Sequence, residues 1–415
     1  MKVAIIGSGV SGLVAAAQLS KRHDVHVFER NDWIGGHTHT VDVEHGDRHY
    51  AVDTGFIVYN ERNYPNFSAI LSGLGVETQP TRMTFGFSSE RTGLEYSGSS
   101  LSGLFAQRKN IFRPAFWGML SEVLRFFREA TRLLDSPDSS ASLGEFLDQH
   151  GFDLRFQQDH LLPMGAAIWS CPPHQMRSFP ALSFARFFAN HGLLSLRNRP
   201  QWRVISGGSA RYVEALCAPF RERIRLESAV SSVRRAPEGV EVDVDGGPSE
   251  SFEAVVFACH SDEALALQAD PTPEEKEVLG AIRYQRNDVV LHTDDRFLPR
   301  EPRARAAWNY HVPSELANAA TVTYDMNALQ GIDAPVSFLV TLNSKEAIDP
   351  QKVIRRFEYT HPIFDAPAIE VQARQAALGA SLRTAYCGAY WGYGFHEDGV
   401  CSGLVAAEAV ERFAS

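Results

Sequence analysis

Residues 2–29 read KVAIIGSGVSGLVAAAQLSKRHDVHVFE, and this stretch decides the fold. The apolar run 2–6 predicts a buried parallel strand, residues 10–20 predict a helix rich in Ala and Leu, and residues 25–28 predict a second strand. Between the first strand and the helix the glycines follow the spacing G-x-G-x-x-G, which typically forms a tight turn around a dinucleotide. We therefore predict a βαβ unit with a nucleotide-binding turn.

The glycines and the first helical residues each have a predicted role in holding a pyrophosphate. Gly7 permits the turn, Gly9 lets the backbone approach the pyrophosphate without a Cβ, and Gly12 lets the helix pack closely on the strand. Val10 and Ser11 begin the helix, where free N–H groups and a partial positive charge face the phosphates. These residues are predicted to bind the cofactor.

Glu29 ends the second strand, roughly 20 residues after the glycines, where a carboxylate can accept hydrogen bonds from a ribose diol. An acid at this position disfavours a 2′-phosphate and so argues against NADP. The motif alone does not separate FAD from NAD. The residues that follow it make that distinction.

The sequence E-R-N-D-W-I-G-G-H begins at Glu29. Here the chain resembles the FAD-dependent superfamily of amine oxidases, protoporphyrinogen oxidases and phytoene desaturases, in which E-R-x-x-x-x-G-G extends the dinucleotide fold around FAD. The resemblance implies that Glu29 holds the adenosine ribose. It also implies that Arg30, Gly35 and Gly36 line the FAD near its phosphates and ribityl chain, and that His37 lies close to the flavin.

A second part of the resemblance lies in residues 385–407 near the C-terminal end. It implies a short strand ending in Gly388, the acid Asp398 near the ribityl and phosphate groups, and a helix beginning around Gly399 and Val400. The N-terminus of such a helix would supply backbone donors to the negative charge of a reduced flavin. Both cysteines of this stretch lie within the motif, so we expect the FAD to be bound non-covalently.

A third match lies in residues 226–233, where the resemblance implies that the Val230 backbone bonds the adenine edge. The resemblance covers essentially the whole chain and predicts an α/β fold, in which a Rossmann-like FAD-binding domain is interleaved with an α+β substrate domain containing a mixed or antiparallel sheet and helices. The FAD-binding domain is expected to comprise residues 1–75, 200–265 and 380–415, and the substrate domain residues 76–199 and 266–379.

Composition excludes several classes of protein. The chain has 415 residues, too many for one compact core, and its net charge of −10 argues against a nucleic-acid partner. The five cysteines are odd in number and show no C-x-x-C spacing, so we expect neither a disulfide framework nor a zinc site, and a reducing cytoplasm as the location. No run of about 18 apolar residues occurs, so we expect no transmembrane helix. Because the first strand follows Met1 directly, we expect no signal peptide. Four histidines near the glycine pair have the spacing of a solvated strand face, so we predict no metal site: His37, His39, His45 and His49.

Residues 104–134 predict an amphipathic helical segment with two interpretations. In the first, the segment packs on the core of the substrate domain. In the second, its basic and aromatic side chains lie on the inner face of an anionic membrane. The second interpretation would make the substrate a lipid.

The chain contains one complete dinucleotide fingerprint, because the loop 206–209 lacks a third glycine and a second ribose acid. We therefore expect an FAD enzyme that takes hydride from its substrate and passes electrons to O₂ or another acceptor. Amine oxidases of the superfamily usually have a lysine on the strand that reads RNDVVL at residues 286–291, and Asn287 stands at the approximate position. They also place a tyrosine where this chain has Phe395. Both departures favour an apolar substrate over an amine.

The chain most resembles the bacterial subgroup linked to fatty-acid modification, including methylated fatty-acyl desaturation. We therefore expect a desaturase or oxidase acting on a fatty-acyl lipid, with His396, Glu397, Tyr59 or bound water as the base. Trp169, Phe395 and Trp391 are expected to position the acyl chain. Other apolar residues could line a channel, although core packing explains most of them: Phe85, Phe87, Met164, Ile168, Phe184, Phe187 and Phe188. Two alternatives stay open, a flavin amine oxidase acting on a hydrophobic or polyamine substrate and a non-catalytic flavin-binding partner subunit. The oligomeric state is open too.

Overall fold

The structure is a computed structural model, and it describes residues 1–136, 140–236, 239–313, 321–344 and 346–413. The chain divides into two compact units, each discontinuous in sequence. Unit 1 comprises residues 1–79, 204–284 and those from 362 onward, and unit 2 comprises residues 80–203 and 285–361.

The strands and helices have the following bounds. The strands are β1 Lys2–Ile6, β2 Asp24–Phe28, β3 Thr40–His45, β4 Arg48–Asp53, β5 Thr78–Thr81, β6 Phe85–Ser89, β7 Leu94–Ser97, β8 Trp202–Ile205, β9 Ile224–Arg225, β10 Val230–Ala236, β11 Gly239–Val244, β12 Glu250–Phe252, β13 Ala254–Phe257, β14 Arg283–His292, β15 Trp308–Val312, β16 Thr321–Asp325, β17 Leu339–Leu342, β18 Val353–Ile363 and β19 Thr384–Tyr386. The α-helices are α1 Val10–Leu19, α2 Pro65–Leu74, α3 Leu101–Leu104, α4 Pro114–Leu133, α5 Leu143–Gln149, α6 Leu154–Phe156, α7 Leu162–Trp169, α8 Pro173–Met176, α9 Ala181–Asn190, α10 Ala210–Cys217, α11 Ser261–Leu267, α12 Pro273–Ala281, α13 Met326–Gln330, α14 Ala366–Val371 and α15 His396–Phe413.

A parallel sheet in the order β19–β13–β1–β2–β9 forms the centre of unit 1. Its inner strand β1 is buried on both faces, which explains why residues 2–6 read as a continuous apolar run rather than an alternating one. The predicted order of strand, helix and strand is present as β1, α1 and β2. The α/β fold predicted from the sequence is confirmed.

The helices α12 and α14 belong to unit 1, whereas the sequence analysis assigned their residues to the substrate domain. Their apolar side chains are buried in the same core as the sheet residues Phe257 and Tyr386, and the members from the helices and their flanks are Val278, Leu279, Ile282, Ala368, Val371 and Leu378. Segments 266–284 and 362–379 therefore extend the dinucleotide-binding unit beyond the expected boundaries. The physical reason is that these helices cover apolar sheet surface.

Unit 2 contains a mixed sheet in the order β18–β14–β17–β16–β15–β6–β7. Within it, β17 pairs antiparallel with both β14 and β16. The strands β15 and β6 pair in parallel, which makes the sheet mixed.

Helix α4 packs one face into the helical part of unit 2. Phe116, Met119, Phe126 and Ala130 are buried along that face. The centroids of the Phe126 and Phe156 rings lie 5.8 Å apart. This face of the segment therefore packs on the core of unit 2, as the first of the two interpretations expects. Among the helices that the structure describes, none is both long and apolar enough to cross a bilayer.

Candidate dinucleotide site

The turn between β1 and α1 requires glycine at two of its three motif positions. Gly7 has φ +107°, and a Cβ there would stand 2.8 Å from the carbonyl oxygen of Ala258. A Cβ on Gly12 would overlap the carbonyl oxygen of Gly7, so the close packing of helix on strand depends on its absence.

Gly9 is different, because nothing lies within 4 Å of the position that its Cβ would occupy. Its φ of −64° suits any residue, so the backbone does not need glycine there. The glycine instead leaves open space beside the first turn of α1. A Cβ would partly fill this space, which lies where the sequence analysis expects the pyrophosphate.

The N-terminus of α1 offers unsatisfied donors to that space. Within the described chain, no side chain caps the helix at Gly9, and its first turn contains no acidic residue. The first intrahelical bond runs from the Leu13 N–H to the Gly9 carbonyl oxygen at 3.0 Å, which leaves the preceding N–H groups without a helical partner. Such a terminus attracts an anion.

The carboxylate of Glu29 is buried and held in place before any ribose arrives. One oxygen accepts from the Ser8 N–H at 2.9 Å and from the Ser8 hydroxyl at 2.6 Å, and the other accepts from the Asn31 N–H and amide group, both at 2.9 Å. Ser8 Oγ also accepts from the Gly35 N–H at 3.2 Å. Ser8 and Asn31 are therefore positioning residues that the sequence analysis missed, although both lie within or beside its motifs.

The glycine pair after Glu29 lies against the nucleotide-binding turn. Gly35 forms a bridge with Gly9, and Gly35 and Gly36 have φ of +120° and +59°. A Cβ on Gly36 would lie 3.1 Å from the Gly9 Cα. Arg30, unlike the two glycines, makes its contact elsewhere: its exposed guanidinium pairs with Glu263 at 2.7 Å.

The C-terminal helix begins earlier than predicted. Helix α15 starts at His396, so Gly399 and Val400 lie after its first residues rather than at its start. The Gly399 N–H donates to the carbonyl oxygen of Phe395 at 3.1 Å and is not a free donor. This prediction is corrected, because the free N–H groups of a helix belong to its first residues.

The first turns of α15 and α1 nevertheless meet. A Cβ on Gly399 would stand 2.6 Å from Val10 Cγ1, and one on Gly403 would overlap the carbonyl oxygen of Ser11. These glycines lie one helical turn apart and let the two helices approach closely. The two ends of the chain thus place two helix N-termini together.

Asp398 and Gly388 lie beside the start of α15. Asp398 accepts a hydrogen bond from the Phe395 N–H at 2.9 Å, and burial raises the pKa of its carboxyl group to about 6. The Gly388 N–H donates to Ser402 Oγ at 2.9 Å, which ties the end of β19 to the helix. Asp398 thus lies in the first turn of α15, whereas the strand expected to end in Gly388 ends at Tyr386.

His396 is enclosed within unit 1 and is not placed as a base. Its ring stacks on Phe56 with centroids 3.5 Å apart, and its Nε2 lies 2.7 Å from the Tyr212 hydroxyl and 3.1 Å from Thr38 Oγ1. Burial lowers the pKa of His396 to about 3, so the ring is neutral at physiological pH. The predicted catalytic role is corrected to a positioning role at the start of α15.

Glu397 caps another helix instead of facing a substrate. Its carboxylate accepts from the Asn66 N–H at 3.0 Å, from the Asn66 amide at 2.8 Å and from the Phe67 N–H at 3.0 Å. The two backbone N–H groups belong to the first turn of α2, whose own N-cap residue Tyr64 makes no side-chain capping bond. The predicted role as a base is corrected, because the carboxylate already satisfies helix donors.

Two further candidates belong to the cores of their units. Tyr59 is buried with its ring edge-on to Phe67, at a centroid distance of 5.4 Å. Trp169 is buried in unit 2 against three phenylalanine rings, namely Phe179, Phe184 and Phe187. Core packing therefore accounts for both. Phe395 is half-buried just before α15 and stays a candidate for positioning a substrate.

His37 and Val230 occupy defined positions in unit 1. The carbonyl oxygen of His37 accepts from the Phe56 N–H at 2.8 Å, and its ring lies 5.9 Å from the His260 ring. Val230 begins β10, and the pairing with β11 shifts register between Val230 and Ser232. Their contacts with a cofactor stay predictions.

Asn287 lies in a buried amide network of unit 2. Its Nδ2 lies 2.7 Å from His361 Nδ1, and its Oδ1 accepts from Asn343 Nδ2 at 2.6 Å. Asn343 adopts φ +54° and also accepts from the Asp288 N–H at 3.0 Å. The neutral amide at this position is thus fixed by its neighbours.

The residues of unit 1 fit a bound dinucleotide. The open space at Gly9 adjoins an uncapped helix terminus, and the anchored Glu29 carboxylate follows at the end of the next strand. The first turn of α15 meets that of α1. This arrangement can hold a pyrophosphate and a ribose with backbone donors and one carboxylate.

Comparison with known proteins agrees with this geometry. The family model "Flavin containing amine oxidoreductase" matches residues 10–341. The flavin-containing monoamine oxidase AofH of Mycobacterium tuberculosis, which carries that name as a provisional assignment, is 26% identical over 288 residues, which cover 65% of this chain and 59% of AofH. The chain thus spans about three fifths of that relative.

Two solved structures share the fold over the whole chain. Cyclohexylamine oxidase from Brevibacterium oxydans has a TM-score of 0.68 at 17% identity, covering 100% of this chain and 99% of that one. A CLA-producing fatty acid isomerase from P. acnes has a TM-score of 0.67 at 16% identity, covering 100% and 98%. With the family match over most of its length, the chain belongs to the flavin-containing amine oxidoreductase family, whose cofactor is FAD.

Proposed function

We propose that the chain is an FAD-dependent oxidoreductase that oxidises an apolar, fatty-acyl substrate and uses O₂ as electron acceptor. The meeting of two helix N-termini beside the open space at Gly9 carries the redox part of this proposal. A site of backbone donors and one anchored carboxylate suits a dinucleotide better than it suits a smaller ligand.

The chain's own residues bind and orient the cofactor in this proposal. The N–H groups at the start of α1 hold the pyrophosphate, and Glu29, fixed by Ser8 and Asn31, accepts from the ribose hydroxyls. The hydrogen bond between His396 and Tyr212 ties the start of α15 to α10. When bound, FAD would supply the hydride-accepting redox chemistry.

The proposed substrate class rests on side chains of unit 2. Asn287 is neutral and engaged with its neighbours, at the approximate position where amine oxidases of the superfamily usually have a lysine. Apolar side chains stay half-buried at Phe85 and along one face of α7, at Met164 and Ile168. The remaining apolar candidates are buried in the core of unit 2 and are withdrawn from this role: Phe87, Phe184, Phe187 and Phe188.

The net reaction balances with O₂. The substrate loses a hydride from one activated carbon and a proton from its neighbour, which forms a C=C bond. The two electrons and two protons reduce O₂ to hydrogen peroxide. Since His396 and Glu397 are engaged within unit 1 and Tyr59 is buried in its core, bound water is the remaining predicted acceptor for the proton.

Anaerobic bleaching of the flavin colour tests this proposal. Unsaturated phospholipid or free fatty acid should bleach the purified protein, while monoamines and putrescine should leave it yellow. Hydrogen peroxide should then form when O₂ is admitted. Bleaching by amines with no response to lipid would overturn the lipid assignment.

An amine substrate is the second candidate, favoured by the 26% identity to AofH. The fold does not choose between the two, because an amine oxidase and a fatty acid isomerase match it about equally well. A yellow protein that neither substrate class bleaches would favour the third possibility, a flavin-binding partner subunit without turnover.

A further inference from the structure

A short stretch of unit 2 exposes several large apolar side chains. The exposed fractions are 86% for Phe112, 77% for Leu101, 50% for Trp117 and 42% for Ile111. Exposed apolar residues that occur singly need no explanation, but a cluster of them marks an interaction surface. We call these four residues the apolar tip.

The apolar tip is connected through its own contacts. Trp117 Nε1 donates to the carbonyl oxygen of Ile111 at 3.0 Å, and the Trp117 ring lies 5.2 Å from the Phe105 ring. The Phe105 N–H in turn donates to the carbonyl oxygen of Leu101 at 3.0 Å. Because the indole N–H is already satisfied, Trp117 can enter an apolar medium without losing a hydrogen bond.

The turn that carries the tip is anchored to the rest of unit 2. Asn110 is fully buried, and its N–H donates to the carbonyl oxygen of Gln107 at 2.9 Å. Gln107 Nε2 donates to the carbonyl oxygen of Gly93 at 2.9 Å. The Phe105 ring also contacts the buried ring of Phe116 at 5.7 Å. The tip is therefore ordered before it meets a partner, which lowers the entropic cost of binding.

Basic residues alternate with the residues of the apolar tip along the chain. Residues 96–121 include Arg108, Lys109 and Arg113 but neither Asp nor Glu, in a chain whose net charge is −10. All three basic side chains are exposed, and with the residues that the structure describes they form no ion pair. The local charge is thus opposite in sign to that of the whole chain.

We propose that the apolar tip and its three basic residues dock this protein on an anionic lipid bilayer. Aromatic and aliphatic side chains beside lysine and arginine are the chemistry that binds an anionic membrane surface. This goes beyond the proposed function, because it concerns where the enzyme binds rather than what it oxidises. A membrane dock would bring it to acyl chains.

Vesicle sedimentation tests the proposal without any turnover. The FAD-loaded protein should bind vesicles of equimolar phosphatidylcholine and phosphatidylglycerol, bind pure phosphatidylcholine much more weakly, and dissociate as salt is raised. Phe112→Ser should weaken binding about tenfold, and Lys109→Gln about fivefold. Leu154→Ser is the matched control, since Leu154 is 66% exposed in unit 2 but follows the acid Asp153.

Brominated acyl chains give an independent readout. They should quench the fluorescence of Trp117 in the bound protein, and Trp117→Phe should remove that quenching while binding persists. Absence of binding to anionic vesicles, or equal binding of wild type and Phe112→Ser, would overturn the proposal. So would self-association in solution that Phe112→Ser abolishes, since the tip would then join two copies. Because substrate oxidation is measured separately, either proposal can fail alone.

Discussion

Replacing Gly9 with alanine separates cofactor binding from folding. Nothing lies within 4 Å of the new methyl group, and φ of −64° is favourable for alanine, so the free energy of unfolding of the apoprotein should change by less than about 1 kcal/mol. The same methyl group would stand where the pyrophosphate approaches the backbone. Overpacking of this kind costs about 1–3 kcal/mol, so the dissociation constant for FAD should rise about 5- to 150-fold.

Isothermal titration of the deflavinated protein with FAD gives that constant, and urea unfolding gives the stability. Gly73→Ala is the control, because it too lies in open space in unit 1, inside the exposed part of α2. It should leave FAD binding unchanged and stabilise the helix by up to about 1 kcal/mol. Gly12→Ala is the opposite control and should prevent folding, because its Cβ would overlap the carbonyl oxygen of Gly7.

Wild-type affinity for FAD in Gly9→Ala would refute this account of the site. The space beside α1 would then hold no part of the cofactor. If Gly9→Ala lost as much stability as Gly12→Ala, the space beside Gly9 would not be open, and that result too would refute the account.

Three further predictions follow from the corrected roles and buried charges. Glu397→Ala should lower the unfolding free energy by about 1 kcal/mol in a denaturant titration, because α2 loses its cap, while the rate of anaerobic flavin reduction stays within about twofold of wild type; a loss of a hundredfold would restore its role as a base. Glu275→Ala should destabilise by about 3 kcal/mol, since it removes the bidentate partner of the buried Arg235 guanidinium and leaves Asp270 as its carboxylate partner, and a loss below about 1 kcal/mol would show that Asp270 or water compensates. Burial raises the pKa of Asp53 to about 6, so its stabilising contribution is complete below about pH 4 and is lost as the pH rises through 6. Asp53→Asn should therefore gain up to about 3 kcal/mol relative to wild type between pH 4 and 7, and parallel pH profiles of the two proteins would contradict this.

Local patterns were sufficient to predict the nucleotide-binding turn. The strand 2–6, the helix from Val10 and the acid at Glu29 all depend on neighbours within 30 residues, and the structure has them as β1, α1 and the residue after β2. The start of α15 was placed three residues late, at Gly399. Glu397 and Asp398 are acids of the kind found in a first helical turn, so the sequence did contain a signal for the earlier start.

Long-range partners could not be predicted from the sequence. Glu397 bonds Asn66 across 331 positions, and His396 bonds Thr38 across 358 positions. Nothing local distinguishes a capping carboxylate from a catalytic one, because both are polar residues beside a glycine-rich motif. The boundaries of the two units failed for a related reason, since only the assembled core shows that α12 packs with the parallel sheet.

In the proposed site the two ends of the chain together hold one FAD, and the flavin content of the purified protein measures whether they do. The purified protein should be yellow, release equimolar FAD into the supernatant on acid precipitation, and take up FAD again after refolding. A colourless protein whose folded form binds no added FAD would contradict the claim.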